Sequence, residues 1–590
     1  MKGTPQGGVL SPILWNLAFD EVLSLVEGSA IKAFGYADDL ALVGQGPDLP
    51  TIISQLQTVL DRVTAWGNTQ GLKFSPSKSM AVAFTRKTSP VKAELKLNGT
   101  LLPWSRTVKY LGVVLDSRLT WVPHFNEKTK NAKKLLFKYK QIVGTTFGPQ
   151  PKFMRWMYLG IVRPALLYGA VVWWRCVANN LGRLQTLTKI NRLALLTFSS
   201  IRRSSPTIAL EAMGYVPPLD LVLEGEVIKT WLRIRHTRPT DVWDGIGRGP
   251  NRGHRLDLNK LLTTYKIPDF VPDDIPTYNK WSRLYRINTD FLNGTPFQAP
   301  TLCFTAGARK GVRAGAGLCI QINDTLVDRA AVPLGRASTL FQAEILAIMT
   351  AAEMLLNYPS TDQIIIHSTS QAAITALASP VFHSKTVLAT SMALDRLAHT
   401  SSKQLVVAWA KPTSKAKGIV LTAHLAQYAT TQIPQEAEPV IPTPKCFVKR
   451  HINTELARRW NSRWMSASIG RQSRIFWPSI DEARSKLLLR SDRDEYGLFT
   501  RLFTGHNNLN RHRSLTGETD DDTCRLCLEA EESSEHILCN CIDIAVGRQR
   551  AIGHSFLAEP RQLAQVPLDG ISRLISLIRL RLTEEGLEKN

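Results

Sequence analysis

Two adjacent carboxylates set between apolar segments constrain this chain more than any other feature. In Phe34-Gly35-Tyr36-Ala37-Asp38-Asp39-Leu40-Ala41-Leu42, apolar residues flank an acidic pair at what reads as a hairpin tip. Successive strand residues point to opposite faces, so Asp38 and Asp39 can share a site only across a turn. A divalent cation relieves their mutual repulsion. Polymerases use paired Mg2+ ions in this way to activate a primer hydroxyl and stabilise the leaving pyrophosphate. An isolated Asp-Asp pair reads as a solvated turn, so its context decides.

Upstream lies Gly3-Thr4-Pro5-Gln6-Gly7-Gly8-Val9-Leu10-Ser11-Pro12; downstream come Gly71-Leu72-Lys73-Phe74-Ser75-Pro76-Ser77-Lys78 and Tyr110-Leu111-Gly112. In this order and spacing the four segments resemble the reverse transcriptases of non-LTR retrotransposons, of the jockey-like and related insect-type clades. The resemblance implies a partial palm over residues 1–116, with Asp38 and Asp39 as catalytic Mg2+ ligands. It implies that Pro5, Gln6, Gly7 and Gly8, with Lys78, meet the template and nucleotide, and that Tyr110, Leu111 and Gly112 form the primer grip. It further implies another Asp on a strand before the glycine loop, preceded by fingers. Met1 falls inside the glycine-loop motif, so the two-metal site is expected to be incomplete and the chain alone not to polymerise DNA.

Ser11–Glu27 reads as a helix and Ala33–Val43 as strand–turn–strand. Ile52–Trp66 reads as an amphipathic helix, with Leu56, Leu60, Val63 and Trp66 at helical spacing. Met80–Phe84 and Tyr110–Leu115 read as short strands. Residues 117–236 form a helical, thumb-like region. Lys128, Lys130, Lys133, Lys134, Lys138 and Lys140 fall together there, and Arg163 to Trp174 resembles the segment after the palm in the same family. Lysines would neutralise duplex phosphates without reading sequence; Trp173 and Trp174 read as core.

Residues 237–300, rich in Pro, Gly, Asp and Asn, read as a connector. Residues 301–432 alternate β then α and resemble the RNase H domain of some non-LTR elements, through Phe304-Thr305-Ala306-Gly307-Ala308, Phe341 to Ala347, Ile366 to Ala373, and Trp409 to Ala426. Position by position, the resemblance puts Ala306 and Thr369 where the family has Asp, Thr413 where it has His, and Ala423 where it has the last Asp. Only Glu344 remains. One carboxylate cannot hold two Mg2+ ions, so RNA hydrolysis is expected to be lost and the fold kept.

Residues 433–445 read as a proline-rich linker, and residues 446–590 as a helical, basic region. Within it Cys524-x2-Cys527-x8-His536-x4-Cys541 has metal-ligand spacing, with Cys539 as an alternative fourth ligand. This segment, with Leu502 to Arg511, resembles the C-terminal zinc knuckle of the same polyproteins, implying Zn2+ on Cys524, Cys527, His536 and Cys541. The acidic stretch Glu529–Glu535 argues against a simple phosphate clamp. The remaining cysteines are scattered, as expected in a reducing compartment rather than a disulfide framework.

The formal net charge of +24 calls for an anionic partner. No stretch reaches the ~18 apolar residues of a bilayer span, and the N-terminus carries no apolar signal segment. The expected architecture is multidomain α+β and α/β: partial palm, helical thumb, RNase H-like α/β domain, and helical C-terminal region with zinc knuckle. The family function is RNA-directed DNA polymerase, with RNA template, DNA primer or target and RNA–DNA hybrid as partners, in a cytoplasmic ribonucleoprotein and the nucleus. The competing readings are a non-catalytic nucleic-acid-binding relic or domesticated factor, and a zinc-dependent protein-interaction scaffold.

Overall fold

The computed structural model describes residues 5, 7–85, 87, 93–144, 147–199, 201–237, 252–267, 270–291, 298–358, 363–401, 404–435, 438 and 440–584. Two compact units emerge: Met1–Arg203 with Leu489–Leu498, and Ser204–Leu488 with Phe499–Asn590.

In the first unit, α1 (Ser11–Ser24) and α2 (Leu49–Gln70) cover one face of an antiparallel hairpin, β1 (Ile31–Tyr36) and β2 (Asp39–Gly44). Phe19, Val22, Val26, Ile31, Val59 and Val63 form the shared core. Asp48 caps α2 by accepting from the Thr51 amide at 2.9 Å, and Gly71 ends it in the left-handed region. Met80–Phe84 is not a strand: only an isolated bridge joins Ala81 to Trp104. Tyr110–Leu115 is not one strand either. It is the centre of a hairpin, β3 (Thr107–Tyr110) and β4 (Val113–Asp116), turning at Leu111 and Gly112. Both turn residues have positive φ, 45° and 76°, the backbone that a two-residue hairpin turn demands and glycine supplies without strain. Asp116 then accepts from the Thr120 amide at 3.0 Å and the Trp121 amide at 2.8 Å, fixing β4 against the start of α3 (Val122–Ile142).

Residues 489–498 join this unit through Arg493. Its buried guanidinium donates to the carbonyls of Phe198 at 3.0 Å and Thr197 at 3.2 Å.

The thumb-like span 117–236 does not stay whole. Its last helix, α4 (Leu219–Thr237), belongs to the second unit, where Asp220 accepts from Arg463 at 2.7 Å.

The second unit holds a mixed six-stranded sheet. Its strands are β6 (Arg286–Asn288), β7 (Thr301–Lys310), β8 (Arg313–Ile322), β9 (Thr325–Gly335), β10 (Gln363–Ser368) and β12 (Gln404–Trp409), in the order β9-β8-β7-β10-β12-β6. β9-β8-β7 are antiparallel, whereas β7, β10, β12 and β6 run parallel. Helix α5 (Leu340–Leu355) connects β9 to β10. Helices α6 (Gln371–Ala378) and α7 (Lys385–Ser401) connect β10 to β12, and α8 (Lys417–Ala429) follows. This order makes the α/β domain expected for residues 301–432. Parallel strands need helical crossovers, and Cys303, Ile345, Ile348, Ile366 and Val407 pack the resulting core.

The expected connector, 237–300, is in part a structural element of this domain. Residues 238–251 and 292–297 lie outside the described residues. The rest includes β5 (Asp274–Asn279), which pairs with β11 (Val381–Ser384), and β6, which extends the sheet. Asp273 is 8% exposed and binds the start of α7: it accepts from the Thr386 amide at 2.9 Å, the Thr386 hydroxyl at 2.7 Å and the Ser384 hydroxyl at 2.9 Å. The expected linker is docked too, with Ile441 packed on the core and Thr443 bridged to Pro272. Periodicity could not show this, because these short strands are stabilised by their partners rather than by their own pattern.

Asp273→Ala should strip several buried donors of their acceptor at a cost of about 3 kcal/mol. Hydrogen exchange at residues 384–390 reads the loss; unchanged protection there would show that Asp273 does not hold the N-terminus of α7.

Candidate functional site

The tight β1–β2 turn places Ala37 and Asp38 at the tip, with Ala37 at φ 50°, and Tyr36 paired across to Asp39. Cross-strand partners share a face, so Asp39 stands on the same hairpin face as Tyr36. Both acids are exposed. The Ala37 carbonyl accepts from the Trp15 indole at 2.8 Å, which ties the tip to α1. Trp15 stacks on Phe19, and the Trp66 indole donates to Glu21 at 2.9 Å. The start of α1 in turn holds the glycine loop: the Ser11 hydroxyl donates to the Pro5 carbonyl at 2.6 Å, and the Gly8 amide to the same carbonyl at 3.2 Å. Pro5, Gly7 and Gly8 are thereby linked to the acid tip through α1; Gln6 lies outside the described residues.

Tyr110 comes to the acids from the second hairpin. Burial, and then the Asp39 carboxylate, push its phenol above the usual range. The Leu111 carbonyl accepts from the Tyr168 phenol at 2.9 Å, and Lys128 lies over the Tyr168 ring at 5.0 Å. The expected primer grip is therefore a hairpin tip braced by the helical segment behind it. Lys78 stands exposed in the single turn Pro76–Lys78, and among the described residues no hydrogen bond or ion pair joins it to either acid. On α3, Lys130, Lys133, Lys134, Lys138 and Lys140 are exposed opposite the buried Phe125, Ala132, Leu136 and Tyr139. Phe137, 57% exposed, sits among these lysines. Trp173 and Trp174 are buried in the core, as their setting predicted. Trp15 and Tyr168 were missed by sequence reasoning, since a buried-looking aromatic gives no sign that its polar atom will hold a turn.

In the domain of residues 301–432, Ala306, Thr369 and Glu344 come close together where β7, β10 and α5 meet. Thr305 pairs with Ser368, and Ser368 with Trp409. Ala306 is 4% exposed and pairs with Gly317, against which α8 lies too closely for any side chain. The Thr369 amide donates to the Thr305 carbonyl at 3.4 Å, and the Ser370 hydroxyl donates to Glu344. A Cβ on Gly307 would meet Glu344 Cγ at 2.6 Å, so β7 and α5 touch where the carboxylate projects. Burial raises the Glu344 carboxyl, with the Ser370 hydrogen bond opposing. Thr413 and Ala423 are exposed.

The cysteine–histidine segment folds as a knuckle. Sγ of Cys524, Cys527 and Cys541 and a His536 ring nitrogen all lie within 4.8 Å of one another. Cys527 Sγ is 3.3 Å from His536 Nε2, and Cys524 Sγ is 4.0 Å from Cys541 Sγ. Their shared hydrogen, then burial, pushes the Cys524 thiol up, and Cys541 is lowered by accepting it. Of the two candidate fourth ligands the fold brings in Cys541. Cys539 is buried outside the cluster, and burial raises its thiol to about 12. Among the described residues this is the one group of three or more His, Cys, Asp or Glu side chains able to share a metal ion.

The acidic stretch proves partly internal: Glu532 is fully buried and accepts from Arg525 at 3.0 Å and the Asn510 amide at 2.6 Å. Beneath the cluster, buried Arg548 donates to the carbonyls of Leu538 and Cys541, both at 2.9 Å. Asn507 and Asn510 reach the knuckle through Ser534 and the Thr523 carbonyl, giving Leu502–Arg511 a role as its support.

Residues 1–115 match the model of the family described as reverse transcriptase (RNA-dependent DNA polymerase). The chain is similar to curated polyproteins of non-LTR elements. It is 27% identical over 234 residues to the putative 115 kDa protein in type-1 retrotransposable element R1DM of Drosophila melanogaster, covering 39% of this chain and 22% of that protein. It is 31% identical over 191 residues to the probable RNA-directed DNA polymerase from transposon BS of the same fly, covering 31% and 21%. The match therefore spans about a fifth of the length of these relatives. Among solved structures, RNase H1 from the halophilic archaeon Halobacterium salinarum NRC-1 aligns at 19% identity and TM-score 0.19, over 22% of this chain and 96% of that one.

Cys541→Ser and His536→Ala are each expected to abolish one-to-one Co2+ binding, read from thiolate–metal absorbance, while Cys539→Ser keeps it. Loss in Cys539→Ser with retention in Cys541→Ser would reverse the ligand assignment.

Proposed function

We propose that residues 1–115, which carry the reverse transcriptase family match, form part of the palm of an RNA-directed DNA polymerase of a non-LTR retrotransposon, and that this chain by itself binds template and primer without extending them. The exposed Asp38–Asp39 tip, with Tyr110 drawn into the field of Asp39, carries the reading. Two carboxylates at a turn can share Mg2+, which would supply the charge that activates a primer hydroxyl. Asp38 and Asp39 would hold the ion. Trp15 and Tyr168 fix the two turns, Pro5, Gly7 and Gly8 would meet template and nucleotide with Gln6, and Leu111 and Gly112 would set the primer end.

Binding without catalysis is part of the proposal. Among the described residues, no third His, Cys, Asp or Glu joins the pair closely enough to share an ion. A two-metal centre needs more ligands than two carboxylates provide.

The RNase H-like domain is proposed to be hydrolytically silent. Ala306 and Thr369 offer no anionic ligand beside Glu344, whose carboxyl is engaged by Ser370. We infer that the Cys524, Cys527, His536 and Cys541 centre holds Zn2+, since three thiolates and an imidazole suit its tetrahedral preference. It would brace a nucleic-acid-binding end of the chain. RNA template, DNA primer or target and RNA–DNA hybrid are the proposed partners, met in a cytoplasmic ribonucleoprotein and the nucleus. No described helix is long and apolar enough to cross a membrane.

The purified chain should bind a primer–template duplex, fail to incorporate nucleotides with Mg2+, and leave RNA–DNA hybrid uncut. Nucleotide incorporation above background would refute the first claim, and hybrid cleavage abolished by Glu344→Gln would refute the second. Replacing Asp38 and Asp39 together by Asn should remove lanthanide luminescence sensitised at the hairpin tip; an unchanged signal would show that the pair holds no cation.

A further inference from the structure

A cleft of about 560 Å3 opens between α4 and α9 (Lys445–Ser466), lined along one side by Pro272 and Thr443. It enters none of the functions proposed above, and its volume lies in the range of roughly 300–1,000 Å3 seen for ligand sites. That side is held firmly: the Asp273 amide donates to the Thr443 carbonyl at 2.9 Å, and the Thr443 amide to the Val271 carbonyl at 2.7 Å.

The cleft's electrostatics are unusual for a helix start. α9 runs for 22 residues, yet its N-cap, Pro444, offers no side-chain cap, and its first turn contains no acid. The positive end of the helix dipole stands there. Lys445 and Lys449, both on the cleft, add positive charge where an anion is favoured. Lys445 is paired with Asp274 at 2.8 Å, and across the cleft Lys229 is paired with Glu226 at 3.1 Å. Lys449 is exposed, and among the described residues no ion pair engages it.

An independent observation points to a ligand. Thr443, only 2% exposed, lines the same cleft, and among the described residues its hydroxyl has no hydrogen-bond partner. Buried hydroxyls are almost always satisfied, so such a group calls for a partner.

We propose that this cleft receives a phosphate of single-stranded nucleic acid, held by the N-terminus of α9, Lys449 and the Thr443 hydroxyl. Phe270 and Leu232 line the cleft beside these cations and give a base an apolar surface. Cations beside an aromatic surface are the combination that binds single strands without reading sequence. The net charge of +24 favours a polyanion over a lone phosphate. The assignment does not rest on the polymerase reading of residues 1–115.

The test uses the full chain, a short oligothymidylate, inorganic phosphate at the same phosphate concentration, and polyglutamate. Oligothymidylate should slow hydrogen exchange across residues 443–450, and neither of the other anions should match it. Lys449→Glu should lose that protection, weaken oligonucleotide binding about fivefold and flatten the dependence of log K on log salt by about 0.7. Lys449→Arg should preserve all three. Thr443→Val, which keeps the shape, should lower the protection with the salt slope unchanged. Equal protection by inorganic phosphate or polyglutamate, no protection by the oligonucleotide, or loss in Lys449→Arg as complete as in Lys449→Glu would each overturn the proposal.

Discussion

Two hydrogen bonds to turn carbonyls hold the first unit's chemistry in place: the Trp15 indole on Ala37 and the Tyr168 phenol on Leu111. Two-residue hairpin turns expose their carbonyls and have few contacts of their own. A donor from a packed helical segment converts such a tip into a fixed point. Without these braces the Asp38–Asp39 tip and the Tyr110 strand end would be joined only through their own short strands. With them, Tyr110 feels the charge of Asp39 although the two lie on separate hairpins.

The second unit uses buried polar groups in a different way. Asp273 secures the start of α7, Glu532 with Arg525 secures the knuckle, and Arg548 satisfies carbonyls behind it. Each fully satisfied group fixes a segment whose own sequence specifies little. That is how stretches with the composition of a connector and a linker become part of a domain. The core frame of residues 301–432 itself is built without carboxylates. The frame rests on Cys303, Ile345, Ile366 and Val407, and on the capping box of Thr339 and Gln342 at α5, none of which is a metal ligand. Fold and any chemistry at Glu344 are thus carried by separate residues.

Charge separates the surfaces of this chain by purpose. The lysines of α3 ring an exposed Phe137 on a solvent face, whereas those at the start of α9 line a cleft beside an unsatisfied hydroxyl. A solvated cation on a helix face needs no partner. The positive end of an uncapped helix adds to the second group's charge, and that contrast sets it apart.

The sequence by itself determined the chemistry available: an acid pair at a turn, a CxxC with a distant His and Cys, and a β-then-α domain with Glu344 on its first helix. These are legible because residue identity and short spacing fix them. The helix spans around Ser11 and Ile52 followed from apolar periodicity for the same reason. Only the tertiary structure decided the rest. It made Leu111–Gly112 a turn rather than a strand, because backbone sign is set by the pairing of its flanks. It chose Cys541 over Cys539, because the five-residue helical turn His536–Asn540 carries one thiol to the cluster and buries the other. It drew Asp273, Trp15 and Tyr168 to partners across the fold, since a hydrogen bond between residues far apart in the chain leaves no periodic trace in either.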